Sequence, residues 1–385
     1  MRILHTADWH LGKTLKGIDR TEEVAKALDE VLRLVKSERV DLVVAAGDLF
    51  DRPQVSAAAE AVFFDFVLAL YELGVPLFAV AGNHDPRLRF SAWREVLARF
   101  GAEVAAELRF FEEGGVKRKG ELSAALLPFL SERLLVKAEE VWEKEEGERM
   151  GSYAERMRRV LLNLAQGFSQ ETANLLVAHL TLEGARPGGG EFAFFLGKDY
   201  AVPPDALPLA AGYVALGHIH RMQRVSEAPL AYYSGSLIQL DFGEGEEAER
   251  GALLVELAPG RPARVLAEVK ERWGKPLRTF RLSPEELGRR DEEIRRFPGY
   301  VKVVLKGRPD PVLREKLLEI PQVLEVVFEV PGEAAREEVE PVERLGFLEA
   351  YKRYHEEAHG APPEAELLDA FRRALEEAGD APAQP

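Results

Sequence analysis

The sequence predicts a layered α/β protein followed by a smaller α/β module and a helical pair. Three observations carry this. Short apolar runs alternate with segments of helical periodicity through residues 1–270, polar clusters close those apolar runs one after another, and a second β-α-β-α-β alternation follows Pro276. A chain of 385 residues is too long for one small core, so two or three domains are expected.

In chain order, Arg2–Ala7 is an apolar, β-prone run, and Thr21 is expected to cap the first helix. Glu22 and Glu23 fall in its first turn, where the helix dipole favours acids, and Val24, Leu28, Val31 and Val35 recur at helical spacing. Asp41–Ala46 (DLVVAA) reads as a buried strand, Ser56–Leu73 as a helix and VPLFAVAG at 75–82 as the third strand. Asn174–Ala178, Gly212–Leu216 and Leu230–Tyr233 extend the pattern. Alternation of this kind implies a parallel or mixed sheet flanked by helices, here over 1–270. The second module is expected at 276–331: LRTFRL, a capping box at Ser283-Pro-Glu-Glu286 with proline at the first helical position, VKVVLKG, a helix near 311–320, and VLEVVFEV. Two closing helices are expected at Val342–His359 and Pro363–Ala378, parted by Gly360-Ala-Pro-Pro363. Their stripes (Leu345, Leu348, Tyr351, His355; Leu367, Leu368, Phe371, Leu375) need a surface to cover, so 342–378 reads as a partner-docking element.

Composition excludes several classes. There is no cysteine, so disulfides and thiolate metal sites are ruled out. No run approaches the roughly 18 apolar residues of a membrane span, and the amino terminus lacks a signal-type apolar region; a cytoplasmic protein is expected. The net charge of −15 at first opposes a nucleic-acid partner. It is unevenly spread: residues 331–385 carry 6 Lys/Arg against 14 Asp/Glu, whereas residues 1–100 carry 13 against 15. The amino-terminal region is nearly neutral before any cation binds, and divalent cations would make it locally positive.

The chemistry gathers at strand ends: Asp8-Trp-His10, Gly47-Asp48, Gly82-Asn83-His84-Asp85, His179, His218 and His220. Five of the eight histidines fall here, at the carboxyl edge of the strands, where open α/β folds place ligands. Glycines 47, 82 and 217 let the backbone come close to a bound ion. Mixed carboxylate, amide and imidazole donors without sulfur suit manganese, with magnesium also accommodated. Two such ions sharing one carboxylate, for which Asp48 is the candidate, suit phosphodiester hydrolysis. His84 lies between Asn83 and Asp85 on a tight turn, so if Asn83 reaches an ion, His84 should face elsewhere, towards the phosphate. The stretch Ala7–Thr14 (ADWHLGKT) mimics a P-loop but puts Asp8 and Trp9 where phosphates would lie, which argues against nucleotide binding.

The order D-x-H, GD, GNHD, H, GHxH resembles the calcineurin-like metallophosphoesterases. That resemblance implies one ion on Asp8, His10, Asp48 and His220, a second on Asp48, Asn83, His179 and His218, and His84 off both ions. The segments ILHTADWHLGK, AGDLFD, AGNHD, ALGHIHR and YYSGSLIQLDFGE are similar to the SbcD family of repair nucleases within it. Membership would imply double-strand exonuclease and single-strand endonuclease activity on DNA, a capping domain, and an SMC-like partner, SbcC, that hydrolyses ATP. It would also imply a homodimer within a heterotetramer, with Ala57–Leu70 as a candidate contact helix. Asp51 stands where archaeal and eukaryotic relatives often carry histidine and is assigned no catalytic role. The alternative is a phosphoesterase of small phosphate mono- or diesters. Lys117, Arg118, Lys119, Arg87 and Arg89 could meet DNA phosphates, and Gly184–Gly190 reads as a loop near the site.

Overall fold

In a computed structural model, residues 1–136, 152–191, 200–271, 273–329, 351–352, 355 and 362–380 are described. Two six-stranded sheets dominate. Strand order in one is 264–269, 252–256, 2–6, 42–45, 77–80, 102–105; in the other it is 223–227, 230–233, 213–217, 173–179, 122–127, 116–119. Both are mixed: Arg2–Thr6 runs parallel to Leu42–Ala45 and antiparallel to Ala252–Glu256, and Tyr213–Gly217 lies parallel to both of its neighbours, while the outer strand Gln223–Glu227 runs antiparallel to Leu230–Tyr233.

The central strands are apolar on both faces because both faces are covered. Side chains alternate along each strand, so Ile3 points into a core shared with the other sheet (Val44, Phe78, Val177, Tyr213), while Leu4 points into one shared with helices (Val24, Leu28, Phe63). A third core joins the second sheet to the Tyr153–Leu164 helix through Met157, Val160 and Leu161. The sheets therefore cover each other on one face, and helices cover each outer face. This refines the expectation of helices on both faces of a sheet.

The helices follow local chemistry. Ser56 caps Ala57–Glu72, its side chain accepting from Ala59 N–H. Thr21 does not cap the first helix. It is the first helical residue of Thr21–Ser37, Arg20 holds the cap position without a side-chain bond, and the Asp19 carboxylate accepts from Thr21 N–H at 2.7 Å. The Arg20 guanidinium is instead spent internally, on Glu23 and on the carbonyls of Gln239 and Lys275.

A three-stranded parallel sheet, Leu277–Leu282, Tyr300–Lys306 and Val323–Glu329, carries helices Pro284–Arg296 and Pro311–Leu318. The capping box forms, with Ser283 and Glu286 bonded reciprocally. This sheet meets the larger body through Leu15, Leu277 and Tyr300 and a Lys16–Glu325 ion pair at 2.8 Å. The second closing helix spans Ala365–Asp380; the first, expected over 342–359, lies outside the described residues save Tyr351, Lys352 and His355. Among the described residues no helix is long and apolar enough to cross a membrane.

Candidate metal centre

All eight residues expected at the site come together at the carboxyl ends of strands from both sheets. Seven are buried: Asp8, His10, Asp48, Asn83, His179, His218 and His220; His84 is half-buried. They fall into two clusters, Asp8–His10–His220 and Asp48–His179–His218, with ligand atoms within 4.8 Å of one another in each.

Backbone strain marks the same place. Among the described residues six non-glycines have positive φ, and four of them are Asp8 (52°), His10 (49°), Asp48 (50°) and His218 (100°). Such conformations cost free energy and persist where surroundings impose them. Two glycines make the room. A Cβ on Gly47 would stand 2.2 Å from His179 Nδ1, and one on Gly82 would stand 2.0 Å from Asp48 Oδ1. Gly217 serves packing instead, since its Cβ would strike the Ala46 carbonyl at 2.0 Å.

Three of the four cluster imidazoles are held by the nitrogen they turn away from their cluster. His10 Nδ1–H donates to Asp51 Oδ1 at 3.2 Å, and His220 Nδ1–H to Glu244 Oε1 at 2.8 Å. Their Nε2 atoms then face each other at 3.2 Å. In the second cluster His179 Nδ1–H donates to the Ala46 carbonyl at 2.7 Å, leaving Nε2 3.1 Å from Asn83 Oδ1 and 3.4 Å from Asp48 Oδ2. His218 differs, meeting the same Asn83 oxygen through Nδ1 at 3.0 Å. Fixing one ring nitrogen so that the other presents a lone pair is the usual preparation of a histidine ligand. Asp48 Oδ2 lies between the clusters, 3.7 Å from His10 Nε2.

The electrostatics of the clusters follow from burial set against mutual attraction. Burial pushes Asp8 up to about 7 and His10 and His218 down to about 4 and about 3. Burial also opposes charge on His179 and His220. Asp48 outweighs it at His179, Glu244 outweighs it at His220, and both are raised to about 9. Asp48 is held well below the usual carboxylate range, its burial outweighed by His179, His84 and His10. Each cluster therefore holds one imidazole whose basicity is raised by nearby carboxylates. A divalent cation held by these residues would satisfy the same carboxylates, with the imidazoles unprotonated as ligands. The donor set fits two such ions: oxygen and imidazole only, buried and pre-oriented.

His84 stands apart from the two clusters. Its backbone N–H donates to Asp48 Oδ1 at 2.9 Å and its Nδ1–H to the Asp51 carbonyl at 2.9 Å. His10, Asp51 and His84 also form a possible three-donor group, but Asp51 already accepts from His10 and pairs with Lys13 at 3.1 Å. Asp85 steadies the turn, accepting from Gly82 and Phe50 N–H at 2.7 and 2.8 Å.

Sequence reasoning leaves three carboxylates of the site unassigned: Asp51, Glu244 and Glu191. Asp51 and Glu244 lie inside AGDLFD and LDFGE, so the motif boundaries were the available signal. Glu191 accepts from Gly188, Gly189 and Gly190 N–H and from His220 N–H at 2.8 Å, which brings the Gly184–Gly190 loop against the site. Four of the five basic candidates have protein partners: Arg87 on the Phe129 carbonyl, Arg89 on Glu60, Lys117 on Glu103 and Arg118 on the Gly167 carbonyl. In the P-loop mimic Trp9 is buried, its Nε1–H on Thr6 Oγ1, and the Asp8 carboxylate accepts from His218 N–H, so no phosphate cradle exists there.

Comparison with known proteins identifies the family. The sequence profile of the calcineurin-like phosphoesterases matches residues 1–222. The SbcD subunit of nuclease SbcCD from Bacillus subtilis is 36% identical over 286 residues, covering 72% of this chain and 71% of the relative. Its counterpart from Rhodobacter capsulatus is 33% identical, covering 69% and 68%. Among solved structures, a dimetal phosphatase from Danio rerio is 12% identical with a TM-score of 0.41, covering 70% of this chain and 99% of that one. With a profile match over more than half its length and a relative at 36% identity, the chain belongs to the calcineurin-like phosphoesterases, in the branch of the SbcD nucleases.

Proposed function

We propose that the chain is the nuclease subunit of an SbcCD-type complex and hydrolyses DNA phosphodiesters with two manganese ions. One observation carries this reading: Asp48 Oδ2 lies 3.4 Å from the His179 imidazole and 3.7 Å from that of His10, so one carboxylate serves both clusters. Asp8, His10, Asp48 and His220 would hold one ion, and Asp48, Asn83, His179 and His218 the other. Bound there, the pair supplies Lewis acidity and activation of water for in-line attack.

The protein's own groups do the rest. Asp51, Glu244 and the Ala46 carbonyl fix three imidazoles before substrate arrives, so little reorganisation remains for the reaction. His84, with Nδ1–H fixed on the Asp51 carbonyl, is the candidate to meet the phosphate, stabilising its charge or protonating the leaving oxygen. Exonuclease action on duplex ends, endonuclease action on single strands and ATP hydrolysis by an SbcC partner complete the proposal. Residues 276–331 would act as a capping domain and 342–378 as the SbcC-docking element, in a heterotetramer built on a dimer of this chain.

The test compares manganese-dependent hydrolysis of linear duplex DNA, hairpin DNA and a phosphate monoester, with and without the partner ATPase. Preference for the monoester would replace this reading with that of a small-ester phosphatase. Truncation after Pro341 should preserve basal cleavage of DNA and abolish co-purification with SbcC; unchanged binding would remove the docking role.

A further inference from the structure

The two clusters differ in what lies behind them. Among the described residues, His179 Nδ1–H meets the Ala46 carbonyl, part of the strand end that carries Asp48, and the Phe129 ring lies beside the imidazole. Behind His220 a chain of buried hydrogen bonds leads out of the site. Glu244, 1% exposed, accepts from His220 Nδ1–H through Oε1 and from Leu240 N–H at 3.0 Å through Oε2. Its carbonyl accepts at 2.6 Å from Nε2 of Gln239, a side chain only 5% exposed. That amide also grips the first residue of the three-stranded sheet: Nε2–H donates to the Leu277 carbonyl at 3.1 Å, and Oε1 accepts from Leu277 N–H at 2.9 Å. Gly190 lets the neighbouring loop cover the pair, because a Cβ there would come within 2.6 Å of Glu244 Oε1.

From this we infer that Glu244 is a positioning residue for His220 and that Gln239 ties it to the three-stranded sheet. The placement of that sheet is then felt at one ion position and not at the other. The inference rests on the two-ion reading above. Its physical basis is twofold. An imidazole that loses the acceptor of its distal N–H loses both its orientation and part of its basicity, and a buried amide left without partners is costly. Every link from Leu277 to His220 is one buried hydrogen bond, or one side chain, from the next. The described polar partners of His179 and His218 are instead Ala46, Asn83 and Asp48, with the Phe129 ring against both imidazoles, all in the larger body.

The experiment titrates manganese into the full chain and three variants, Glu244→Ala, Glu244→Gln and Gln239→Leu. Binding is followed by calorimetry, spin coupling between paired ions by electron paramagnetic resonance, and thermal unfolding is measured without metal. Glu244→Ala should weaken one of the two ions by roughly 10–100-fold and leave the other unchanged, so that isolated-ion signal replaces coupled signal at limiting manganese. Glu244→Gln, which keeps the shape and an acceptor oxygen, should lose less. Gln239→Leu should weaken the same ion by less than Glu244→Ala, although residue 239 touches no ion ligand. If Glu244→Ala does not fold, the other two variants decide. Unchanged affinity for both ions in them, or equal weakening of both ions, overturns the inference. A wild-type chain that does not take up two ions would instead overturn the two-ion reading itself.

Discussion

The polar edge of the large sheets and the three-stranded sheet treat the backbone in opposite ways. At the edge, four buried ligand candidates take left-handed conformations, and two neighbouring positions must be glycine to avoid the Asp48 and His179 side chains. In residues 276–329 no described non-glycine residue has positive φ. There a proline opens each helix, with Ser283 or Asp310 at the cap, and Val301, Val303 and Leu305 fill the core. Local rules are set aside mainly where polar atoms must converge; of the six described non-glycine residues with positive φ, only Lys16 and Arg39 lie away from that edge. Changes at the edge should therefore be read in ions and turnover, and changes in the small sheet in stability.

The largest effect is expected from Asp48→Asn, which removes charge facing both clusters at once. It should lose at least one manganese and nearly all nuclease activity; two tightly bound equivalents with normal cleavage would refute the bridging role. Next comes His84→Gln, which should keep both ions and DNA binding while lowering single-turnover cleavage by about 10²–10⁴-fold. His179→Gln should instead weaken ion affinity and recover in part at high manganese. Recovery of His84→Gln by the same treatment would make His84 a ligand. Asp51→Ala should weaken one ion by roughly 10–100-fold, because His10 loses the acceptor of its Nδ1–H.

His5 separates burial from ion chemistry. It lies between the large sheets, bonded to Tyr213 and the Leu216 carbonyl, and burial lowers it to about 3. Below pH 6.5 the unfolded chain takes up a proton there that the folded chain refuses, so folding weakens as pH falls towards 3. Between pH 6.5 and 5 wild type should lose about 1–2 kcal/mol more stability than His5→Gln, read from urea unfolding at both pH values. The smallest effect belongs to the small sheet. Ser283→Ala should cost about 1 kcal/mol with manganese affinity unchanged; a shift in either ion would blur the division between the regions.

The same division governs what the sequence discloses. LRTFRL is the strand Leu277–Leu282 and Ser283–Glu286 is a formed capping box, because both depend on neighbours within a few residues. The strand-end polar residues are visible because nothing in packing explains GNHD after VPLFAVAG. Partners across the chain are not visible. Asp51 meets His10 over 41 residues and Glu244 meets His220 over 24, and no periodicity marks a carboxylate whose partner is brought by topology. Thr21 has a cap's chemistry without the role for a smaller reason: Asp19 offers a stronger acceptor two residues earlier.

The first strand has a consequence for synthesis. Arg2–Thr6 is interior to its sheet, and one flank is closed only by Ala252–Glu256. All the ligand candidates, from Asp8 to His220, are translated before that flank exists. At ribosomal rates the roughly 250 residues between the two strands take about 12–50 s to make, and until then one side of the Arg2–Thr6 strand is an open edge able to pair with other chains. Nascent chains thus carry every ligand candidate while the strand leading to Asp8 and His10 is still unpaired on one side, so this edge stays open after the last of those candidates has been made.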